Sequence, residues 1–217
     1  MAIDILTTDH VFPDTVYILA PGWEGRNEYG RIPGDAFVIT VNKGFQIPDV
    51  QKHLWIAEDL NLLPLQPWFA DTVREVIAQQ NDLMAPETTP VFDGGKMYDI
   101  FPDLAYIYRS GPHLSYPAPH YHPYAIIPGL LRGYCSISSK AIQLAVQKGA
   151  KRVILCGVDM WGKMYFNEEV TESGRIRPGG SGEWPFVARF NELLKWLKGE
   201  GIEVVSLSPT ALNLEVI

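Results

Sequence analysis

The sequence is short of positive charge, of cysteine and of long apolar runs, and each shortage excludes a class of protein. The net charge of −7 at pH 7 gives no general basic surface for nucleic acid. Two cysteines cannot build a disulfide framework, and Cys156 lies in an apolar run where we expect a buried, inert thiol. No run approaches the roughly 18 apolar residues of a membrane span, and the first residues do not resemble a signal peptide. We therefore expect a cytoplasmic protein with no transmembrane segment and no nucleic-acid partner.

Motifs that mark several large enzyme classes are also missing. There is no P-loop for phosphate binding and no Gly-x-Gly-x-x-Gly turn for a dinucleotide cofactor. No Asp-x-Asp supports a metal-dependent glycosyltransferase, and no Gly-x-Ser-x-Gly supports a serine hydrolase. His113, His120 and His122 lie in a proline- and tyrosine-rich loop, where solvated or packed histidines are more common than metal ligands, so we assign no metal site.

Short apolar runs that end in glycine or polar residues predict a parallel sheet. We expect strands over 15–19, 36–41, 54–57, 89–92, 105–108, 152–156 and 202–207, with helices over 67–79, from Ser136 or Ser138 to about 148, and over 184–198. Residues 211–217 form either a short helix or a tail. The length and composition fit one α/β domain over 1–217, with irregular, lid-like segments at about 108–134 and 163–183.

The segment 136–161 indicates where a ligand binds. It reads as a capped helix, a turn at Gly149 and a buried strand that ends at Gly157 and Asp159. Ligands of open parallel sheets lie beyond the carboxyl ends of the strands, so Asp159 is expected to face a ligand. The alternative is that its carboxylate caps a neighbouring loop.

Five blocks of sequence carry a resemblance to a known family: VYILAPG (16–22), ITVN (39–42), YDIFPDL (98–104), the segment 136–161, and SLSPTALNLEVI (206–217). In this order they resemble the bacterial sialyltransferases of the Campylobacter lipooligosaccharide type, which use CMP-sialic acid. The chain is more loosely similar to the Rossmann-like group with 6-hydroxymethylpterin diphosphokinase-like domains. Both imply a Rossmann-like, mostly parallel sheet flanked by helices.

The resemblance to the sialyltransferases also implies site residues and partners. The donor would be a nucleotide sugar such as a CMP-sugar, the acceptor is not defined, no further cofactor is required, and a homo-oligomer stays open. The implied nucleotide-binding residues are Gly22, Asn42, Asp59, Ser136, Ile137, Ser138, Asp159, Met160 and Trp161. From the residues alone, Asn42 could instead be a turn residue, and Asp59 the acidic start of a helix or turn.

The catalytic residues depart from the family pattern. Trp161 stands where the family has a tyrosine that helps the phosphate to leave, and Tyr165 is close enough in sequence to supply a phenol. The loop at 179–184 lacks the family's histidine base, which leaves Glu183 or a histidine of the earlier loop. The favoured function is a sialyltransferase-like glycosyltransferase. The alternatives are a pyrophosphokinase-like transferase that uses ATP and Mg²⁺, with Asp59 and Asp159 near the phosphates, or a non-catalytic descendant of the fold.

Overall fold

The structure, a computed structural model, describes residues 3–56, 82–86, 106–108, 110–111, 125–132, 136–160 and 185–217. The strands in these ranges are β1 (Ile3–Asp4), β2 (Thr15–Leu19), β3 (Phe37–Val41), β4 (Leu54–Ile56), β5 (Asp82–Pro86), β6 (Tyr106–Tyr108), β7 (Ser110–Gly111), β8 (Leu131–Arg132), β9 (Arg152–Cys156) and β10 (Glu203–Ser206). The α-helices are α1 (Ile137–Gln147) and α2 (Pro185–Gly199).

Eight of these strands form one sheet in the order β1-β6-β5-β4-β3-β2-β9-β10, and every neighbouring pair is parallel. The chain moves from β2 through β3 and β4 in one direction, whereas β9 and β10 lie on the other side of β2. The strand order therefore reverses between β2 and β9, which is where ligands bind in sheets of this kind. The predicted α/β class with a mostly parallel sheet is confirmed.

Alternating side chains place apolar residues on both faces of the central strands, as expected for parallel strands that are covered on both sides. In β2, Val16 and Ile18 belong to the core cluster that includes the buried faces of α1 and α2. Leu19, at the end of the same strand, packs into a second cluster with Tyr29 and Ile47, which lie in the loops after β2 and β3. Both helices therefore cover one face, and these loops cover the other.

Helix α1 is buried on nearly all sides. Its two glutamines are compatible with this burial because their side-chain amides hydrogen-bond to backbone groups. The Gln143 amide accepts from the Arg132 N–H at 2.9 Å and donates to the Arg132 carbonyl at 2.7 Å. One turn later, the Gln147 amide accepts from the Gly129 N–H at 2.9 Å and donates to the Leu130 carbonyl at 2.8 Å. The two side chains thus pair with a segment of backbone much as a neighbouring strand would.

A hydrogen bond at the C-terminal end of α1 places that end next to the residues that precede β2. The Phe12 N–H, just before β2, donates to the Lys148 carbonyl at the end of α1 at 2.8 Å. Eleven helical residues and five strand residues both span about 16 Å. The N-terminus of α1, which begins after Ser136, therefore lies level with the carboxyl ends of the strands.

The strand and helix bounds agree with the prediction within two residues wherever both are described. The short strands β1, β5, β7 and β8 were not predicted, and residues 211–217 form no helix; instead Val216 makes a parallel bridge with Ser206. The predicted helix at 67–79 and strand at 89–92 lie outside the described residues, while the division into one domain and the two lid segments remain predictions. In the part of the chain that is described, no helix is long and apolar enough to cross a membrane.

Candidate functional site

The carboxyl ends of β2 and β9 are joined beyond the strands themselves. The Ala20 N–H donates to the Cys156 carbonyl at 2.8 Å, and the Gly22 N–H donates to the Gly157 carbonyl at 2.9 Å. The two turns that leave these strands therefore run side by side at the point where the strand order reverses. We call residues 20–24 and 157–160 the paired turns.

Glycine is required at two positions of the paired turns because the backbones approach closely. A Cβ at Gly22 would overlap the Gly157 carbonyl oxygen and lie 2.8 Å from the Asp159 carboxylate carbon. Gly157 has φ +73°, and a Cβ there would overlap the Ala20 carbonyl oxygen. The sequence prediction placed Gly22 against a nucleotide. The geometry also gives Gly22 a packing role: its N–H bonds to the Gly157 carbonyl, and the space where a Cβ would lie is filled by the turn after β9.

Asp159 is 8% exposed and lies under the first of the paired turns. Its Oδ2 accepts from the Glu24 N–H at 3.4 Å, and the N–H groups of Trp23 and Met160 also donate to its carboxylate. Burial raises the pKa of Asp159 above its ordinary range, and these backbone donors oppose the rise. The carboxylate thus caps a neighbouring loop, which was the alternative at the sequence level. A ligand-facing role for Asp159 stays a prediction.

Tyr29 supports the same turn from below and was not singled out in the sequence. Its hydroxyl donates to the Gly22 carbonyl at 3.2 Å, and the side chain is buried. Burial, followed by the nearby Cys156 and Asp159, raises the pKa of Tyr29 far above its ordinary value of 10, so the phenol keeps its proton and remains a donor. Burial also raises the pKa of Cys156 to about 12, which agrees with the expected inert thiol.

Asn42 directly follows β3, which lies two strands away from β9 in the same sheet, and its geometry is unusual. Its φ of +44° lies in the left-handed region, which asparagine tolerates better than most residues. Its carbonyl accepts from the buried Trp55 indole N–H at 2.9 Å. The side-chain Oδ1 is buried, and within the described residues no hydrogen-bond donor reaches it. An unsatisfied amide oxygen of this kind typically costs about 1–3 kcal/mol, so a hydrogen-bond donor that reached it would be stabilising.

The N-terminus of α1 is the third part of the candidate site. Ser136 is the N-cap: its Oγ and its carbonyl accept from the Ser139 N–H at 3.4 Å and 3.0 Å. Ile137 and Ser138, in the first turn, are buried. The first N–H groups of an eleven-residue helix favour negative charge at this level of the sheet edge.

The structure therefore brings most of the described site residues to one edge of the sheet. Gly22, Asp159 and Met160 lie in the paired turns, while Asn42 and the N-terminus of α1 follow at the ends of neighbouring elements. Met160 is partly exposed and has φ +58°, a strained conformation for a residue with a side chain. The remaining predicted residues lie outside the described ranges: Asp59, Trp161, Tyr165 and Glu183, together with His113, His120 and His122.

A separate groove of about 640 Å³ lies beside the edge strand β10, between α2 and residues 213–215. None of its lining residues belongs to the paired turns, so it is distinct from the strand-end site. Within the described ranges, no three His, Cys, Asp or Glu side chains are grouped so that they could hold a metal ion. Sequence reasoning also missed two hydroxyl side chains, Ser208 and Thr210, that contact the second paired turn.

No protein-family model matches the sequence, and neither does any curated protein. The fold, however, is similar to solved sialyltransferase structures from Campylobacter jejuni. CstII, in complex with the substrate analogue CMP-3FNeuAc, superposes with a TM-score of 0.52 and 17% identity over 94% of this chain and 86% of that chain. The monofunctional α-2,3-sialyltransferase Cst-I gives a TM-score of 0.53 and 14% identity over 93% and 79%. An α-2,3-sialyltransferase in apo form gives 0.51 and 15% over 96% and 83%.

Proposed function

We propose that this protein is a glycosyltransferase that takes a nucleotide-activated sugar, with a CMP-sugar as donor, at the carboxyl ends of β2, β3 and β9. The Oδ1 of Asn42, which no donor among the described residues reaches, carries the proposal, because it is a buried acceptor at the edge where parallel sheets bind ligands. The shared fold supports the choice of donor, since CstII is a sialyltransferase seen with a CMP-sugar analogue.

The described residues would contact the nucleotide sugar in two ways. The Asn42 amide offers both a donor and an acceptor, which suits a cytosine edge or a ribose hydroxyl. The N-terminus of α1 after Ser136, with Ile137 and Ser138 in its first turn, faces the negatively charged part of the donor. Gly22 and Met160 flank this space from the paired turns, while Asp159 holds the turns together.

The transfer step needs a base and a way to stabilise the leaving phosphate. In the proposed reaction the acceptor hydroxyl oxygen forms a bond to the anomeric carbon, the bond from that carbon to the phosphate oxygen breaks, and CMP leaves with the electron pair. Glu183 takes the proton of the acceptor hydroxyl. Tyr165 donates a hydrogen bond to the leaving phosphate, and Trp161 contacts the nucleotide. These roles come from the sequence, and Asp59 is retained as a nucleotide contact on the same basis.

Calorimetric titration with CMP tests the donor site directly. We expect saturable binding by the wild-type protein and about tenfold weaker binding by Asn42→Gly, because glycine keeps the left-handed backbone but removes the amide. Asp49→Gly is the matched control, since Asp49 also has a positive φ (+60°) but is exposed and lies further along the loop after β3, away from the strand end. Absence of CMP binding at millimolar concentration, or equal affinity in Asn42→Gly, would contradict the proposal.

Titration with ATP and Mg²⁺ separates the alternatives. Binding of ATP that depends on Mg²⁺, without binding of CMP, would favour the pyrophosphokinase-like reading. CMP binding without turnover of CMP-sialic acid would favour a protein that has kept the donor site and lost catalysis.

A further inference from the structure

The turn that follows β9 is held by the C-terminal part of the chain rather than by regular secondary structure. We call residues 206–212 the brace. Its contacts reach three consecutive residues of the turn: the Gly157 N–H donates to Ser208 Oγ at 3.0 Å, the Thr210 hydroxyl donates to the Val158 carbonyl at 2.7 Å, and the Ala211 N–H donates to the Asp159 carbonyl at 2.8 Å.

The brace is itself fixed by hydrogen bonds and burial. The Ser206 hydroxyl donates to the Ser208 carbonyl at 2.6 Å, and both serines are fully buried. The Thr210 hydroxyl both donates and accepts, because its Oγ1 also accepts from the Leu212 N–H at 3.2 Å. Leu212 anchors the end of the brace in the main core cluster.

These contacts matter because the turn is conformationally demanding. It contains two left-handed residues, Gly157 and Met160, and Val158 between them is buried. A buried carbonyl without a donor is unfavourable, so the turn depends on the hydroxyl of Thr210 to keep its observed path. An isolated turn of this length would have other conformations open to it.

We infer that Thr210 is a positioning residue: its hydroxyl sets the conformation of residues 157–160 and, through them, the shape of the donor site. The consequence for a nucleotide rests on the proposed function, whereas the effect on the turn does not. Within the described residues, Thr210 hydrogen-bonds to Val158, Asp159 and Leu212 but to neither Asn42 nor the N-terminus of α1, so its influence on a ligand would be exerted through Asp159 and Met160.

Three variants test the inference. Thr210→Val removes the hydroxyl at nearly constant volume, and Thr210→Ser restores it. Thr8→Val is the matched control, because the Thr8 hydroxyl also donates to a carbonyl, that of Ile5 at 2.9 Å, and also accepts, from Lys148 Nζ at 3.2 Å, but its partners lie near the start of the chain and at the C-terminal end of α1 rather than in the paired turns.

Amide hydrogen exchange of the ligand-free protein is the first measurement. We expect exchange at residues 158–160 to be about tenfold faster in Thr210→Val, with wild-type rates in Thr210→Ser and in Thr8→Val, since one net hydrogen bond corresponds to up to about a tenfold change. Unchanged exchange at 158–160 in Thr210→Val would overturn the inference, whether or not any nucleotide binds.

CMP affinity is the second measurement and tests the consequence for the site. We expect Thr210→Val to bind CMP several-fold more weakly than Thr210→Ser, and Thr8→Val to match the wild type even though it loses a comparable hydrogen bond. Equal CMP affinity in all three variants would refute the link between the brace and the donor site. Failure of the wild type to bind CMP would instead refute the proposed function and leave the exchange result to judge the brace.

Discussion

Replacing Gly157 with alanine tests the close packing of the paired turns. Gly157 combines a left-handed backbone, φ +73°, with a position where a Cβ would overlap the Ala20 carbonyl oxygen. The methyl group can be accommodated only if the turns after β2 and β9 separate.

The expected cost has two parts. A left-handed conformation costs a residue with a side chain about 1–2 kcal/mol relative to glycine. Separation of the turns weakens the Ala20–Cys156 and Gly22–Gly157 hydrogen bonds, whose net contributions are about 0.5–1.5 kcal/mol each. Together these terms predict that Gly157→Ala lowers the free energy of unfolding by about 2–5 kcal/mol, a large part of the stability of an ordinary domain.

Two other glycines separate these terms. Gly201, two residues after α2, has φ +78°, but no atom of the described residues would lie within 4 Å of a Cβ there, so Gly201→Ala should lose only the conformational part, about 1–2 kcal/mol. Gly30 has neither feature, and Gly30→Ala should stay within about 0.5 kcal/mol of the wild type. Urea unfolding with constant m-values measures all three. If Gly157→Ala is no less stable than Gly201→Ala, the paired turns are not packed as described.

Three further predictions concern buried polar groups. Burial raises the pKa of Asp159 above its ordinary value of 3.8. The wild type should therefore be most stable relative to Asp159→Asn below pH 3.8, and should lose that advantage as the pH rises through the raised pKa. A difference in unfolding free energy that does not change with pH would contradict this. His53 Nδ1 accepts from the Val38 N–H at 3.2 Å, and burial lowers the pKa of His53 from 6.5. The free energy of unfolding should therefore fall as the pH drops below 6.5. His53→Phe keeps the ring stacked on Phe37 and should flatten that part of the pH profile in thermal melts at pH 5 to 8. Gln143→Leu leaves the N–H and carbonyl of Arg132 without their partner and should cost about 2–5 kcal/mol in urea unfolding, whereas a loss below about 1 kcal/mol would show that the pairing contributes little.

The fold class could be predicted from the sequence because it depends on local patterns. Apolar runs of four to six residues that end in glycine or polar residues mark buried parallel strands, and β2, β3 and β9 lie where these runs predicted them. The short strand β5, with aspartate at its start and proline at its end, carries no such pattern. Gln143 of α1 is fully buried because its partner is backbone eleven residues earlier, which no pattern within the helix indicates.

The sequence indicates the end of the sheet at which Asp159 lies, but not the contacts that Asp159 makes there. That Asp159 ends a buried strand follows from the sequence, and the rule for parallel sheets then gives the edge. The Asp159 carboxylate accepts from the Glu24 N–H, 135 residues earlier in the chain. This contact depends on the order of the strands, which no local pattern contains. The same holds for Thr210 and Val158, which meet only because β10 lies beside β9.

The structure of the protein crystallised with CMP tests the central claim most directly. The account predicts nucleotide density beyond the carboxyl ends of β2, β3 and β9, with a CMP donor within hydrogen-bond distance of Asn42 Oδ1. Density for CMP in the groove beside β10, or an empty strand-end site at saturating CMP, would contradict it.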